Sequence, residues 1–346
     1  MRELFDRTVL QILNDHISTE AVLAAETSDI STALWQVFED NGVTMALASE
    51  EHGGSGARWF DICGGIIACG NYSVPLPVAE TVFANWLLSK SGIQPPEGPV
   101  VFAESDRLTI DSGKVSGRLS DVPWGGSAGH IVALTNDATP ALVLLSGGEV
   151  QSIEKTRNTA AEPRDMLTFD NACPIAVVPL SSSVTTDVLR MGGALIRSAQ
   201  MAGSVERVLQ MAVDYANERV QFGKPIGKFQ AVQHQMALVA EQASLARSAT
   251  ETAFSLSEQA LDVTSIAVAK ICASEAATAA ANITHGVHGA IGFTHEYPLH
   301  IATRRLWSWR SEFGSVTYWS TLLGQQVCRQ GSQDYWASIV NGDTIR

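Results

Sequence analysis

The stretch YANERVQFGKPIGKFQAVQH, residues 215–234, decides how the rest of the chain is read. It reads as a helix ending in Arg219, a tight turn built on Gly223, Pro225 and Gly227, and a second helix beginning near Phe229. Such a segment is either an ordinary helical hairpin or an anion site, because Arg219, Gln221, Lys224 and Lys228 cluster beside a new helix N-terminus. Outward from it the pattern is helical in both directions. Leu195, Ala199, Ala202, Val205, Val208, Leu209 and Ala212 form an apolar stripe before it. After it, the spacing predicts a helix from about Phe229 to Gln259, an Ala-rich one from about Val263 to Gly286, and a fourth from about Leu299 to Val327. Four long helices with short connections predict a four-helix bundle over residues 184–340, where Ala276, Ala277, Ala279 and Ala280 permit close approach.

The preceding sequence has two textures. Leu4, Phe5, Val9, Leu10 and Leu13 recur at helical spacing, as do Ile30, Leu34, Val37 and Phe38, and predict an all-α domain over residues 1–97. The turn-forming loop from Glu50 to Gly56 interrupts it, and Pro75 and Pro77 break the chain again. Residues 98–183 consist instead of short runs such as Val100–Phe102, His130–Leu134, Ala141–Leu145 and Ile175–Val178, separated by Gly, Asn and Asp. They predict a small antiparallel sandwich or barrel with no helix inside it. The fold class is thus α+β, mainly α, with a polar tail at 341–346.

Composition excludes several function classes. The 346 residues carry 23 Lys+Arg against 36 Asp+Glu, a net charge of −13, so few surplus cations are available for nucleic acid or an anionic membrane. No uninterrupted apolar run reaches the roughly 18–20 residues of a membrane span, and the N-terminal MRELFD lacks the layout of a signal peptide. A cytoplasmic protein is expected. Cys63, Cys69, Cys173, Cys272 and Cys328 are odd in number and scattered, which suggests neither a disulfide framework nor a zinc site.

Taken in order, these motifs resemble the acyl-CoA dehydrogenase family, flavoenzymes that oxidise the α,β bond of acyl-CoA thioesters. The resemblance rests on residues 215–234, the EEHGGSG loop at 50–56, the helix–sheet–helix layout, and GAIGFTHEYP at 289–298 followed by Arg304. It implies a dimer or tetramer with FAD lying in a groove between subunits. The neighbour's hairpin then holds the diphosphate and adenosine end, which would make Arg219, Gln221, Phe222, Gln230 and Gly289 the cofactor-binding residues here. It also implies an acyl-CoA substrate and electron-transfer flavoprotein or a similar acceptor.

The chain departs from the family where the chemistry occurs. A carboxylate must remove the α-proton while the β-hydrogen leaves as hydride to the flavin. Counting on from Arg304 without a gap, the family's base position falls on Phe313 within Glu312-Phe313-Gly314-Ser315, and a phenyl ring cannot accept a proton. Glu312 is the adjacent candidate, but one residue is about 100° around a helix, which should point it elsewhere. Isovaleryl-CoA-type members carry the base on an earlier helix, near Gly193 here, and no carboxylate lies between Asp187 and Glu206. Asp121-Val122-Pro123 stands where a Trp-Ile-Thr strand usually touches the flavin. The flavin-binding loop before it is reduced to Phe102-Ala103-Glu104-Ser105-Asp106, and the usual Gln before the Gly pair is Gly286.

An intact Arg219 hairpin beside a degraded flavin pocket resembles the short β-type subunits of α2β2 acyl-CoA dehydrogenases from steroid catabolism. That likeness implies a full-length homologous partner and a steroid side-chain CoA substrate. Two other readings stand beside it: a non-catalytic scaffold with this fold, and a homo-oligomeric dehydrogenase using an atypical base such as Glu312. His285, His288, His295 and His300 have no carboxylate or Cys completing a metal set and read as structural. Trp307, Trp309 and Trp319 read as packing.

Overall fold

A computed structural model describes residues 1–180, 185–258 and 260–341. The boundary expected at 183/184, the helix end expected at Gln259 and all but the first residue of the 341–346 tail lie outside these. The chain forms two compact units, one of residues 1–65 and 74–192, the other of residues 66–73 and 193–346.

In the first unit, α1 (Arg2–His16), α2 (Thr19–Ala25) and α3 (Thr32–Asp40) precede the first part of α4 (Trp59–Asn71) and α5 (Val78–Lys90). Ser18 and Ser31 cap α2 and α3, each accepting from a backbone N–H three residues on. α5 is buried from Val78 to Leu88, and its Phe83 meets Trp59, Trp86 and Phe102 in an aromatic cluster. Thr81 fastens α5 to the first strand by accepting from Val100 N at 3.1 Å and donating to Val100 O at 2.9 Å.

Two four-stranded sheets follow. One has the order β1 (Val100–Phe102), β4 (His130–Leu134), β5 (Ala141–Ser146), β8 (Ala176–Pro179). The other has the order β2 (Ser105–Asp111), β3 (Lys114–Pro123), β7 (Arg164–Ala172), β6 (Ser152–Glu154). Val101, Ile131, Val143 and Leu145 from the first share one core with Leu108, Val115, Leu119, Leu167 and Phe169 from the second, so the sheets form a sandwich. The sandwich is not antiparallel throughout. β1 runs parallel to β4, because the hairpin of β2 and β3 intervenes and brings the chain back in the same direction; the other pairs in these sheets are antiparallel.

The second unit is helical. α6 (Val188–Glu218), which begins in the first unit, leads into the two-residue strands β9 (Val220–Gln221) and β10 (Lys224–Pro225), then α7 (Gln230–Leu256) and α8 (Val263–His288). Val205, Val208, Val239, Ala246, Ala273, Ala277, Ala280, Leu299 and Leu306 share its core. α8 is long and apolar enough, by length and composition alone, to cross a membrane. Its buried stripe packs in this core, however, as the interior helix of a bundle does. The fourth expected helix is two: α9 (Leu299–Trp309) and α10 (Val316–Gln330), followed by α11 (Ser332–Asn341). The break comes at Phe313 and Gly314, both with positive φ (54° and 99°), after which Ser315 caps α10 by accepting from Tyr318 N.

Candidate functional site

The hairpin between α6 and α7 is built by its turn residues. Arg219 N still donates to Tyr215 O as the last turn of α6 ends, and Ile226 N returns to Arg219 O at 2.8 Å. Between them Gln221 pairs with Lys224, and Phe222 and Gly223 both take positive φ (51° and 80°). Two consecutive left-handed residues make the type I′ turn that joins such short strands. Phe222 is left 93% exposed, with its ring 6.2 Å from that of Phe229, over which Lys224 Nζ sits at 4.4 Å. Arg219, Gln221 and Gln230 are exposed too. The structure therefore brings four of the five expected cofactor residues onto one projecting element.

Gly289, the fifth, is tied to the base of that element. Tyr215, one turn before Arg219, stacks on His288 with ring centroids 4.6 Å apart. His288 Nδ1 donates to Thr284 O at 2.7 Å, which fixes the neutral tautomer so that Nε2 accepts from Tyr297 OH at 3.1 Å. Burial holds the His288 imidazole below its ordinary pKa. Beyond His288, the chain turns at Gly289 (φ 65°). A cleft of about 700 Å³ opens there, lined among others by Asn282, His285, Gly286, Gly289, Phe293 and Arg304.

The two counted base positions meet. A Cβ placed on Gly193 would fall on the ring of Phe313, so the phenyl lies directly against the α6 backbone. Phe313 O accepts from Trp319 Nε1 at 3.0 Å, and the Arg197 guanidinium lies 5.8 Å from the Phe313 ring and 5.5 Å from that of Trp309. Arg197, 1% exposed, donates from Nε to Glu312 Oε2 at 2.8 Å and hydrogen-bonds Gln200. Glu312 is thus the counter-ion of a buried guanidinium. The helix expected to run through Glu312 is broken at this point, and Glu312 and Phe313 both meet α6, at Arg197 and at Gly193.

Lys270 completes the corner, and sequence reasoning missed it together with Arg197. Its side chain is fully buried and Nζ donates to Trp309 O at 3.0 Å and Arg310 O at 2.9 Å, capping the C-terminus of α9. Burial pulls its pKa down to about 7, Glu312 opposing and Arg197 reinforcing the drop. The available signal was a single lysine inside an Ala-rich apolar helix.

The remaining candidates occupy ordinary places. Asp121-Val122-Pro123 ends β3, with Val122 buried and Asp121 in the bulge where pairing with β7 shifts register. Glu104, in the shortened loop, pairs with Arg190 at 2.7 Å. His285 Nε2 bonds Thr303 Oγ1 at 2.9 Å and its ring stacks on Phe293. His300 Nδ1 donates to Tyr297 O. Among the described residues, no group of three His, Cys, Asp or Glu side chains is arranged to hold a metal. Trp309 and Trp319 are buried, whereas Trp307 is 37% exposed.

Comparison with known proteins gives a consistent picture. The family described as "Acyl-CoA dehydrogenase, C-terminal domain" matches residues 188–315. Acyl-CoA dehydrogenase IpdE2 of Mycobacterium tuberculosis is 28% identical over 311 residues, covering 88% of this chain and 90% of its own. Among solved structures, the ChsE4-ChsE5 complex from M. tuberculosis superposes with a TM-score of 0.85 at 22% identity, covering 96% of this chain and 98% of that one. A variant of the Tcur3481-Tcur3483 steroid ACAD gives 0.82 at 24% identity, covering 93% and 96%. These two structural likenesses establish the fold.

Proposed function

The chain belongs to the acyl-CoA dehydrogenase family, and we propose that it is the base-lacking subunit of an FAD-dependent acyl-CoA dehydrogenase, completing the flavin site of a longer homologous partner. One observation carries this reading: a solvent-exposed Arg219 hairpin stands in the same chain as Phe313, packed on Gly193, at the position counted from Arg304.

The residues present fit one half of FAD. An exposed guanidinium at Arg219 offers the planar fork that suits a diphosphate, and Gln221 and Gln230 add polar groups on the same projection. The cleft at Gly289 leaves room beside the hairpin's base, and nothing stands within 4 Å of a Cβ built on Gly286 or Gly289. The fit fails for the ring end, where buried Val122 and the Glu104–Arg190 pair replace the expected contacts. When bound, FAD supplies the hydride acceptor for α,β-oxidation. This chain's own residues supply binding and orientation; neither Phe313 nor the ion-paired Glu312 is placed to take the α-proton, so that step falls to the partner.

The finer assignment is an acidic, cytoplasmic α2β2 assembly acting on a steroid side-chain CoA thioester and passing electrons to electron-transfer flavoprotein or a similar acceptor. A neighbour that is a steroid ACAD and another that is a complex of two proteins support it. The test is expression of the chain alone and together with the product of its neighbouring reading frame. The chain alone is expected to be colourless and inactive, and the complex yellow and active, with Arg219→Ala stripping flavin from the complex. Turnover of an acyl-CoA by the pure chain would overturn the proposal, and flavin content indifferent to Arg219→Ala would favour a scaffold.

A further inference from the structure

The β-sandwich carries a chemically reactive pair remote in sequence from the hairpin and the Phe313 corner. Lys114 opens β3 just after the Ser112-Gly113 turn, and Cys173 follows the last residue of β7. Val115 pairs with Ala172 in the ladder, so Lys114 and Cys173 stand opposite one another one step beyond it, where the strand ends. Lys114 Nζ donates to Cys173 Sγ at 2.5 Å. Glu149, in the turn after β5, accepts from Cys173 N at 2.8 Å. All three side chains are exposed, so an oxidant reaches the pair from solvent.

We propose that Lys114 and Cys173 form a redox-modifiable pair that closes, on oxidation by dioxygen or a peroxide, into a covalent Nζ–O–Sγ bridge. Lys114 stands within hydrogen-bonding reach of the exposed Cys173 sulfur, where an oxidant can attack. The hydrogen bond to Cys173, the charge of that thiol and Glu149 hold the Lys114 amine above its ordinary pKa. The stoichiometry closes with one dioxygen. The S–H and one N–H bond break, S–O and N–O bonds form, and the O–O bond is cleaved. One oxygen atom enters the bridge while the other leaves as water with the two released hydrogens. With a peroxide, two equivalents are reduced and three waters leave. Two equivalents of a dithiol, each closing to a disulfide, supply the four electrons and four hydrogens that cleave the S–O and N–O bonds and return thiol, amine and water.

Of the other four thiols, Cys63 and Cys69 are buried, burial raises the pKa of half-buried Cys272, and Cys328 is exposed, so peptide mapping must separate it from Cys173. The test is intact-mass measurement of the full chain after exposure to air or hydrogen peroxide, followed by peptide mapping. The expected result is a gain of about 14 Da, one oxygen in and two hydrogens out, that dithiothreitol removes. A cross-linked peptide pair should contain Lys114 and Cys173, and the gain should be absent from Lys114→Gln and Cys173→Ser. Both variants should keep the wild-type thermal midpoint under reducing conditions, since both positions are exposed. No mass change, only additions of about 16 Da at Cys173, or a 14 Da gain persisting in Cys173→Ser would each overturn the proposal.

Discussion

Arg197 and Lys270 are buried cations that hold the corner at residues 309–314 from opposite helices. Replacing Arg197 by Met strands Glu312 without its counter-ion, so the variant should lose roughly 3–5 kcal/mol in urea unfolding, and Arg197→Met/Glu312→Gln should lose less than the sum of the single changes. Lys270 has a pKa of about 7 in the folded chain against 10.5 when unfolded. Between those values the unfolded chain binds more protons, so stability should rise as pH goes from about 7 toward 10.5, and below 7 the cost of burying the ammonium is fully present. Lys270→Met removes that dependence; unfolding measured at pH 7 and pH 9 should show a smaller difference than in the wild type. At this scale the sequence shows that the position counted from Arg304 is Phe313 rather than a carboxylate. The ion pair was not legible there, because Arg197 and Glu312 lie 115 positions apart and only folding makes them neighbours.

Periodicity located the helices of the second unit but ran through a break. Apolar residues continue in helical register from Trp309 to Trp319, and both tryptophans are in fact buried, so the pattern conceals the end of α9. The local signal was Gly314-Ser315, a residue suited to positive φ followed by an N-cap, and it outweighed the pattern because Lys270 caps the carbonyls released there. Helix contact also explains why residues 66–73 belong with the second unit: a Cβ on Gly203 of α6 would strike Ile67 O of α4. Gly203→Val should therefore cost about 2 kcal/mol or more in urea unfolding, because backbone cannot yield as a side chain does.

At the scale of the molecule, the net charge of −13 describes the surface as a whole, whereas Arg219, Lys224 and Lys228 concentrate positive charge on one projection. Phe222 at its tip is 93% exposed and contributes little to this chain's own stability. Phe222→Ser should leave the unfolding free energy of the isolated chain unchanged within about 0.5 kcal/mol in urea, while lowering the flavin retained by the proposed complex. An unchanged flavin content would remove Phe222 from the cofactor-binding set. The fold class, the strand-rich middle, the hairpin and the presence of Phe313 at the position counted from Arg304 were determined by the sequence itself, because they rest on local periodicity, turn chemistry and residue identity. Tertiary structure alone decided that Phe313 lies on Gly193, that Glu312 answers a buried arginine and that Lys114 faces Cys173. Each of these joins residues far apart along the chain, and their contact energies exist only once the core has brought the backbone segments together.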